Sequence, residues 1–348
     1  MFLSSQGTSE GDELKSEEIK SVQREYIVNP YSMLLPVDSP IIPSLRDFIR
    51  YIYHYKGDLI DICKLRCILP ELEELDSMVG MDELKTSVME MIMYFTETPD
   101  KKNNDYLHTV IYGPPGTGKT HVAKIMARIY AGLGILPSQR FTKETRTDLV
   151  GKYLGHSAIK AKKALDKCSC GVMFIDEAYS LAPNDSGSNR DSFSKEVIDV
   201  INEYLSEHKN ELIVIIAGYK DELEKTFFSS NPGLKRRFPW RFTIAPYTPQ
   251  QMTELFQLMT YRIGWDITPD AIDEAFFIQN KEYFSYYGGD IETFITKTKF
   301  MHIRRIFGKE RNTHVFTRED IHLALDSHKK HIDESKDDQR EAPYGMYV

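Results

Sequence analysis

Residues 113–120 read Gly-Pro-Pro-Gly-Thr-Gly-Lys-Thr and fit the phosphate-binding pattern GxxxxGK[ST]. An apolar run at 108–112 precedes them and an amphipathic helical pattern at 121–131 follows. Glycines let successive N–H groups converge on phosphate oxygens, and the helix directs its positive end at the same anion. The lysine can reach the β- and γ-phosphates, and the last hydroxyl can bind Mg²⁺. The residues expected to bind nucleotide are Gly113, Pro114, Pro115, Gly116, Thr117, Gly118, Lys119, Thr120 and His121.

A second group of candidate residues follows the apolar run 172–175, where Asp176 and Glu177 stand side by side. Ligands of open α/β sheets bind at the carboxyl ends of buried strands. We expect Asp176 to hold Mg²⁺ through water, and Glu177 to orient and deprotonate an attacking water. Paired acids at a strand end are often only solvated, but their position after a phosphate-binding loop favours the catalytic interpretation.

The elements that must position these residues are indicated by an alternation of apolar runs and helical patterns. This alternation predicts a parallel sheet covered by helices on both faces. After Tyr247 apolar residues recur at helical spacing, and the Thr317/Asp320 pair resembles a capping box, so a separate all-helical region is expected. The expected strands are 108–112, 172–175, 212–217 and 240–244.

The chain divides into five expected segments. Residues 1–25 are polar and expected to be disordered, and residues 26–74 form a small helical segment. Residues 75–247 form the nucleotide-binding α/β subdomain, residues 248–331 a helical lid, and residues 332–348 a flexible tail.

Composition narrows the possible environment and partners. A formal net charge of -8 gives no general attraction to nucleic acid or anionic membranes. No apolar run approaches the roughly 20 residues that span a bilayer, and no secretory signal is visible at the start. The 4 cysteines are too few for a disulfide scaffold. These features predict a soluble, cytoplasmic protein in a reducing compartment without a membrane partner.

Four further segments accompany the glycine-rich loop, namely residues 147–156, 171–181, 217–219 and 231–238. Together they resemble the AAA+ ATPases related to the red-type Rubisco activase CbbX, a group that includes a bacterial sporulation ATPase and the cytosolic ATPase of mycobacterial type VII secretion. The resemblance covers about residues 75–325. It implies a P-loop AAA+ domain with a parallel sheet sandwiched by helices, an all-α lid, and a hexameric ring that binds ATP with Mg²⁺ between subunits.

The resemblance also implies roles for individual residues. Val79 and Gly80 match the linker beside the adenine, and Tyr219 stands at the sensor-1 position. Arg237 matches the arginine finger that completes the site of the adjacent subunit, although Arg236 beside it is an alternative. A permanently charged planar fork suits the developing γ-phosphate charge. A basic surface cluster for anions or nucleic acid is the competing interpretation of residues 235–237.

Tyr153 and Leu154 match an aromatic pore loop that grips an extended polypeptide, while a buried core tyrosine is the alternative interpretation. The lid departs from the family pattern. Residues 288–292 read Gly-Gly-Asp-Ile-Glu where a sensor-2 arginine is usual, which places Glu292 near a γ-phosphate. Either the alignment slips, or lid coupling is weakened, or a base further along the lid substitutes: Lys297, Lys299 or Arg304.

The leading hypothesis is a hexameric ATPase that converts ATP and water to ADP and phosphate while remodelling a protein substrate, as a chaperone-like unfoldase or a complex disassembler. A nucleic-acid motor or loader is the second hypothesis, but the acidic net charge and the aromatic pore loop argue against it. A nucleotide-gated scaffold with weak hydrolysis, suggested by Glu292, is the third. A basic channel for nucleic acid would draw on Lys160, Lys162, Lys163 and Lys167.

Overall fold

Five parallel strands form the central sheet in the order β2-β3-β4-β1-β5. The computed structural model describes residues 42–57, 61–97, 105–151, 156–182, 189–209, 211–309 and 314–341. Every residue of β1, β3 and β4 is buried, which explains why these strands read as continuous apolar runs. The strands are β1 (Thr109–Tyr112), β2 (Phe141–Glu144), β3 (Gly171–Ile175), β4 (Leu212–Gly218) and β5 (Trp240–Thr243).

The edge strand β2 is absent from the sequence prediction. It reads Phe-Thr-Lys-Glu and pairs on one side only, with β3, in a register that sets Lys143 beside Phe174. An edge strand leaves one side open to solvent and tolerates charged residues, so it lacks the apolar run that marks a central strand. This strand brings a lysine to the sheet edge where Asp176 emerges from β3.

Helices cover both faces of the sheet. One face packs with α4 and α5 in a core that includes Ile111, Phe174 and Ile215, and the other packs with α7 and α8 in a core that includes Val110 and Met173. A one-turn 3₁₀ helix, Ala178–Leu181, follows β3. The helices of this region are α4 (Asp82–Glu97), α5 (Lys119–Gly132), α6 (Arg146–Leu149), α7 (His156–Lys167), α8 (Asn189–Glu207), α9 (Lys220–Lys225), α10 (Phe227–Ser230) and α11 (Pro232–Arg237).

Three helices precede this region: α1 (Leu45–His54), α2 (Ile62–Cys67) and α3 (Leu69–Asp76). Their apolar side chains belong to the same core as α4, α5 and one face of the sheet. Glu74 also forms an ion pair with Arg128 of α5 and lies 2.9 Å from Nε2 of His121 on the same helix. The amino-terminal helices therefore extend the α/β core and contact the helix that follows the glycine-rich loop.

The helices after residue 248 share a third core built largely from phenylalanines, and we call this region the lid. A two-residue parallel ladder, β6 (Asp266–Ile267) with β7 (Val315–Phe316), joins them and is too short to leave a sequence pattern. Between its helices lies a 3₁₀ turn, Lys281–Tyr283. The lid helices are α12 (Pro249–Arg262), α13 (Glu274–Gln279), α14 (Gly288–Ile306) and α15 (Arg318–Glu341).

The last helix extends into the segment that the sequence analysis assigns to the tail. It continues to Glu341, whereas the sequence suggests that a flexible tail starts at residue 332. Lysine, glutamate, glutamine and arginine are good helix formers, so a charged composition alone does not end a helix. Within the described ranges, no helix combines the length and apolar composition needed to cross a membrane.

Candidate active site

The glycine-rich loop connects β1 to α5. Gly116 and Gly118 have φ values of 74° and 87°, a left-handed conformation that glycine adopts without steric cost. The Thr117 hydroxyl donates to the Pro114 carbonyl at 2.7 Å, and the Tyr247 hydroxyl donates to the Thr117 carbonyl at 3.4 Å. One hydrogen bond within the loop and one from Tyr247, at the start of the lid, therefore fix the loop. Helix α5 begins directly after Gly118.

A cavity of about 350 Å³ opens beside this loop, within the size range of small-molecule sites. The loop, the end of β3 and the end of β4 each contribute to it, as expected for the carboxyl edge of a parallel sheet. Its lining residues are Pro115, Gly116, Gly118, Lys119, Thr120, His121, Asp176, Glu177, Tyr179, Gly218 and Tyr219.

Lys119 lies half-buried inside the loop. Its Nζ donates to the carbonyl oxygens of Gly113 at 2.9 Å and Pro114 at 2.7 Å. Burial lowers the pKa of Lys119, and the charges of Asp176 and Glu177 act against this effect. A phosphate group in the cavity would offer this ammonium a stronger, charged acceptor than two carbonyl oxygens. The residues present therefore fit an anionic nucleotide.

Oxygen ligands suited to Mg²⁺ lie at the same edge of the cavity. Thr120 Oγ1 is 3.5 Å from Asp176 Oδ2. Mg²⁺ prefers oxygen ligands and commonly keeps several waters, so one hydroxyl and one carboxylate fit its requirements. Lys143 Nζ lies 2.9 Å from the same Oδ2 atom. A cation bound between Thr120 and Asp176 would therefore compete with Lys143 for this oxygen.

Glu177 follows Asp176 in a left-handed conformation, with φ 50° and ψ 44°. This conformation is uncommon for a residue with a side chain and often marks a functional site. Burial raises the pKa of Tyr179 to about 12, with the charge of Glu177 and a hydrogen bond to its carboxylate contributing. The Tyr179 ring also packs against Gly218, where an added Cβ would lie 3.0 Å from Cδ1. Tyr179 thus links Glu177 to the end of β4.

Tyr219 follows β4 and also lines the cavity. Its ring centroid lies 6.3 Å from that of Tyr179. Burial raises the pKa of Tyr219, followed by the effects of Tyr286 in the lid and of Glu177. Tyr219 nevertheless remains 42% exposed, so it faces solvent as well as the cavity.

The linker before α4, which contains Val79 and Gly80, also contacts the glycine-rich loop. Val79 is buried, and Gly80 and Met81 are both left-handed, with φ values of 65° and 62°. The Met81 methyl group would lie 3.4 Å from a Cβ added at Gly118. Lys85 Nζ donates to the carbonyls of Asp76 at 3.0 Å and Met78 at 2.6 Å, which anchors the linker backbone. Val79 and Gly80 thus lie close to the loop, although neither lines the cavity itself.

The two candidate arginines of α11 have different environments. Arg237 donates to the Gly233 carbonyl at 2.9 Å and, through Nε, to Ser206 Oγ at 2.9 Å, and it lies over the Tyr106 ring. Arg236 is exposed. Neither is among the residues that line the cavity of its own chain. Among the residues that the structure describes, no arginine lines this cavity.

The lid bases considered from the sequence also lie outside the cavity lining. Lys297 Nζ lies 3.5 Å from the Ser327 carbonyl and 3.3 Å from His328 Nδ1, both on α15. Glu292 and Arg304 are exposed on α14, and Lys299 is half-buried there. The basic residues that do line the cavity, Lys119 and His121, belong to the α/β region. Tyr153 and Leu154 fall outside the described residues.

Sequence reasoning missed two residues at this site. Lys143 lies on the polar edge strand, and only the β2–β3 register brings it to Asp176. Tyr179 comes two positions after Glu177 in the motif Asp-Glu-Ala-Tyr, so its proximity was a usable signal. Its contact with the carboxylate depends on the 3₁₀ turn that follows β3, which the sequence pattern does not indicate.

Comparison with known proteins agrees with this geometry. The model of the ATPase family associated with various cellular activities (AAA) matches residues 109–238. A putative cfxQ-like protein of Acanthamoeba polyphaga mimivirus is 40% identical over 71% of this chain and 61% of its own length. Stage V sporulation protein K of Bacillus subtilis is 35% identical over 59% of this chain and 64% of its own length.

A third relative is covered more fully. The chloroplastic ribulose bisphosphate carboxylase/oxygenase activase of Cyanidioschyzon merolae is 35% identical over 60% of this chain and 71% of its own length. The chain spans less than two thirds of the first two relatives, at 61% and 64% of their lengths. The similarity to all three is therefore a statement about the shared ATPase region.

Proposed function

The chain belongs to the CbbX-like family of AAA+ ATPases, and from this membership we propose that it assembles into a ring and uses ATP hydrolysis to remodel a protein partner. Within this proposal, residues 75–247 form the nucleotide-binding subdomain and the lid closes over it. The ring, the protein partner and the roles of individual residues are the proposed elements.

One observation carries the proposal: Lys119, Thr120, Asp176 and Glu177 converge on a single cavity at the carboxyl edge of the sheet. Lys119 would neutralise phosphate charge, and Thr120 with Asp176 would hold Mg²⁺, which supplies further charge neutralisation when bound. Glu177 would accept a proton from the attacking water. These four residues supply the functions that phosphoryl transfer to water requires, apart from a positive charge on the far side of the γ-phosphate.

Arg237 is our candidate for that missing positive charge, supplied by a neighbouring copy. An arginine in trans would make hydrolysis depend on assembly, because no arginine of the described residues lines the cavity of its own chain. Arg237 would have to exchange its bonds to Ser206 and Gly233 for the phosphate of the neighbour. Tyr153 and Leu154 would contact the polypeptide, and Tyr219 would contact the γ-phosphate or the water.

Two alternatives lose support from the described contacts. Of the four lysines on α7 that could attract nucleic acid, Lys160 donates to the Val150 carbonyl at 3.2 Å and Lys167 pairs with Glu144 at 3.6 Å. Internal contacts reduce their availability for a phosphate backbone. The scaffold hypothesis depended on Glu292 repelling the γ-phosphate. Because Glu292 is exposed and is not part of the cavity lining, this reason no longer holds.

The proposal is tested with Lys119→Ala and Glu177→Gln proteins. We expect Lys119→Ala to lose ATP binding, measured by calorimetry, and Glu177→Gln to bind ATP while releasing phosphate about a hundredfold more slowly or worse. In ATP, light scattering should show that Glu177→Gln forms a ring. Glu177→Gln should also retain a protein partner in ATP, and Lys119→Ala should retain none. A Glu177→Gln protein with full turnover would overturn the role of Glu177, and a monomer in saturating ATP would overturn the ring.

A further inference from the structure

The first turn of α14 in the lid touches the glycine-rich loop directly. Gly288 N–H donates to the Gly116 carbonyl at 3.1 Å. A Cβ added at Gly116 would overlap the carbonyl group of Tyr286, and one added at Gly288 would lie 2.7 Å from the Gly116 oxygen. The two backbones are therefore in contact with no side chain between them, which only glycine permits at both positions.

The turn that brings the lid backbone to this position is held in a strained form. Tyr287, the residue before the helix, has φ 46° and ψ -111°. Such a conformation costs about 1–3 kcal/mol and persists where the surroundings enforce it. Asp290 Oδ2 accepts a hydrogen bond from Tyr286 N–H at 2.6 Å, and Gly289 N–H donates to the Tyr286 carbonyl at 3.1 Å. The acid in the Gly-Gly-Asp sequence thus fixes the turn.

No described cation of the lid lines the cavity. Lys297 is directed to α15, and Arg304 is 16 residues beyond Gly288, about 24 Å along the helix at 1.5 Å per residue. Among the described residues, therefore, no basic side chain of the lid reaches the cavity to connect the two regions. The backbone contact between Gly116 and Gly288 connects the loop with the lid, beside the hydrogen bond from the Tyr247 hydroxyl to the Thr117 carbonyl.

We propose that Gly288 is a positioning residue that transmits the state of the glycine-rich loop to the lid through its backbone contact with Gly116. The inference rests on the proposed function, since it assumes that nucleotide enters the cavity beside Gly116. In this proposal the two glycines couple the nucleotide site to the lid, a role that a lid arginine would otherwise have.

Nucleotide binding should change the conformation of the loop. Lys119 Nζ is bonded to the carbonyls of Gly113 and Pro114, and it must leave them to reach a phosphate. Releasing these bonds frees the backbone on the amino-terminal side of Gly116. The Gly116 carbonyl accepts the hydrogen bond from Gly288 N–H. A shift of this carbonyl therefore displaces the first turn of α14. Because the contact joins two backbones without a flexible side chain, a displacement of the loop is passed to the lid turn almost in full.

The test compares Gly288→Ala with Gly289→Ala. An added Cβ at Gly288 would press on the Gly116 oxygen, whereas one at Gly289 meets nothing within 4 Å. Neither glycine has a positive φ, so the local backbone accepts alanine at both positions. Alanine in a helix is favoured over glycine by roughly 0.5–1 kcal/mol, so Gly289→Ala should fold at least as well as the parent, whereas Gly288→Ala must displace the Gly116 carbonyl. The variants therefore differ in the contact with the loop and in little else.

The primary measurement is hydrogen–deuterium exchange of residues 284–294 with and without ATPγS. In the parent and in Gly289→Ala, we expect nucleotide to change the exchange rate of this segment about fivefold or more. In Gly288→Ala the response should fall to about twofold or less, while the affinity for ATPγS changes by less than about threefold. A Gly288→Ala protein with the full response would overturn the inference.

The outcomes separate this inference from the proposed function. If the parent and Gly289→Ala bind no ATPγS, the proposed function fails. If they bind and respond, and Gly288→Ala does the same, only the inference fails. Should Gly288→Ala be misfolded by circular dichroism, Asp290→Ala replaces it, because this change releases Tyr286 N–H without placing an atom against the loop. A full exchange response in Asp290→Ala then overturns the inference, and a diminished one supports it.

Discussion

Thr120 Oγ1 and Asp176 Oδ2 lie 3.5 Å apart although 56 positions separate them in the chain. The contact exists because β1 and β3 run parallel and both end at the same edge of the sheet. We expect Asp176→Asn to weaken ATP binding about tenfold in Mg²⁺ and to leave binding in EDTA nearly unchanged, since the lost charge acts through the metal. Calorimetry in both buffers checks this prediction.

The control for this experiment is Asp326→Asn, a change of the same type on the exposed face of α15. It should alter neither affinity. An Asp176→Asn protein that loses binding equally in Mg²⁺ and in EDTA would show that the carboxylate supports the fold of the site and not a metal ion.

The part of the site that the sequence predicts is the part built from strand ends. Lys119 and Thr120 follow one buried apolar run, and Asp176 and Glu177 follow another, so a parallel sheet is sufficient to bring them together. Lys143 could not be found in this way, because its strand is polar and its position depends on register. The contact of Gly288 with Gly116 joins two separately packed cores, and spacing within a sequence carries no information about how such cores meet.

Lys143 should oppose metal binding, because its ammonium lies 2.9 Å from the carboxylate oxygen that faces Thr120. The pair is partly exposed, with side-chain exposures of 46% and 26%, so its contribution is modest. An exposed pair contributes about 0.2–1 kcal/mol, which predicts that Lys143→Met lowers the Mg²⁺ concentration needed for half-maximal ATP binding by up to about fivefold. Titration of Mg²⁺ against a fluorescent ATP analogue measures this shift.

Lys124→Met, on the exposed face of α5, is the matched control for the lysine change. It should leave the Mg²⁺ dependence as it is in the parent. If Lys143→Met raised the Mg²⁺ requirement instead, Lys143 would be a partner of the bound nucleotide and not a competitor of the metal.

Tyr179 should support catalysis through Glu177. The Tyr179→Phe change removes the hydroxyl whose pKa Glu177 helps to raise but keeps the ring that packs against Gly218. We expect turnover to fall about tenfold with little change in ATP affinity, since a misplaced base affects the chemical step more than binding. Phosphate release under saturating ATP measures the effect, and Tyr261→Phe, at an exposed lid tyrosine, is the control. Unchanged turnover in Tyr179→Phe would remove this residue from the mechanism.

Arg237 should act on the site of a neighbouring copy. Arg237→Ala and Lys119→Ala are each expected to lose turnover by about a hundredfold or more when alone. Mixed together, they should recover part of it, because a site with an intact Lys119 can then meet an intact Arg237. Phosphate release from mixtures of varied ratio measures this recovery.

Ser206→Ala is the control for the arginine experiment, since it removes the intrachain partner of Arg237 and leaves the guanidinium. It should keep at least the turnover of the parent. If Arg236→Ala gave the loss and the recovery while Arg237→Ala only lowered the melting temperature, Arg236 would be the residue that acts in trans.

The lid should lose stability in acid through Asp320. Burial alone would raise the pKa of Asp320, but hydrogen bonds from Arg305, Thr317 and His302 outweigh it and lower the pKa to about 2. The pKa in the folded chain therefore lies below the value of about 3.9 in the unfolded chain. The carboxylate stabilises the fold above about pH 4, and this contribution of roughly 2 kcal/mol is lost as the pH falls from about 4 to 2.

The Asp320→Asn change should accordingly destabilise the lid most near neutral pH. Removing one partner of a buried charge network costs about 3–5 kcal/mol, because Arg305 and His302 lose their common acceptor. The difference in unfolding free energy between parent and variant should narrow below about pH 4, as the parent carboxylate becomes neutral. Urea denaturation followed by the fluorescence of Trp265, whose ring lies 5.2 Å from that of His302, measures it in a Trp240→Phe background. A difference that stayed constant down to about pH 2 would mean that packing, and not the charge of Asp320, stabilises this part of the lid.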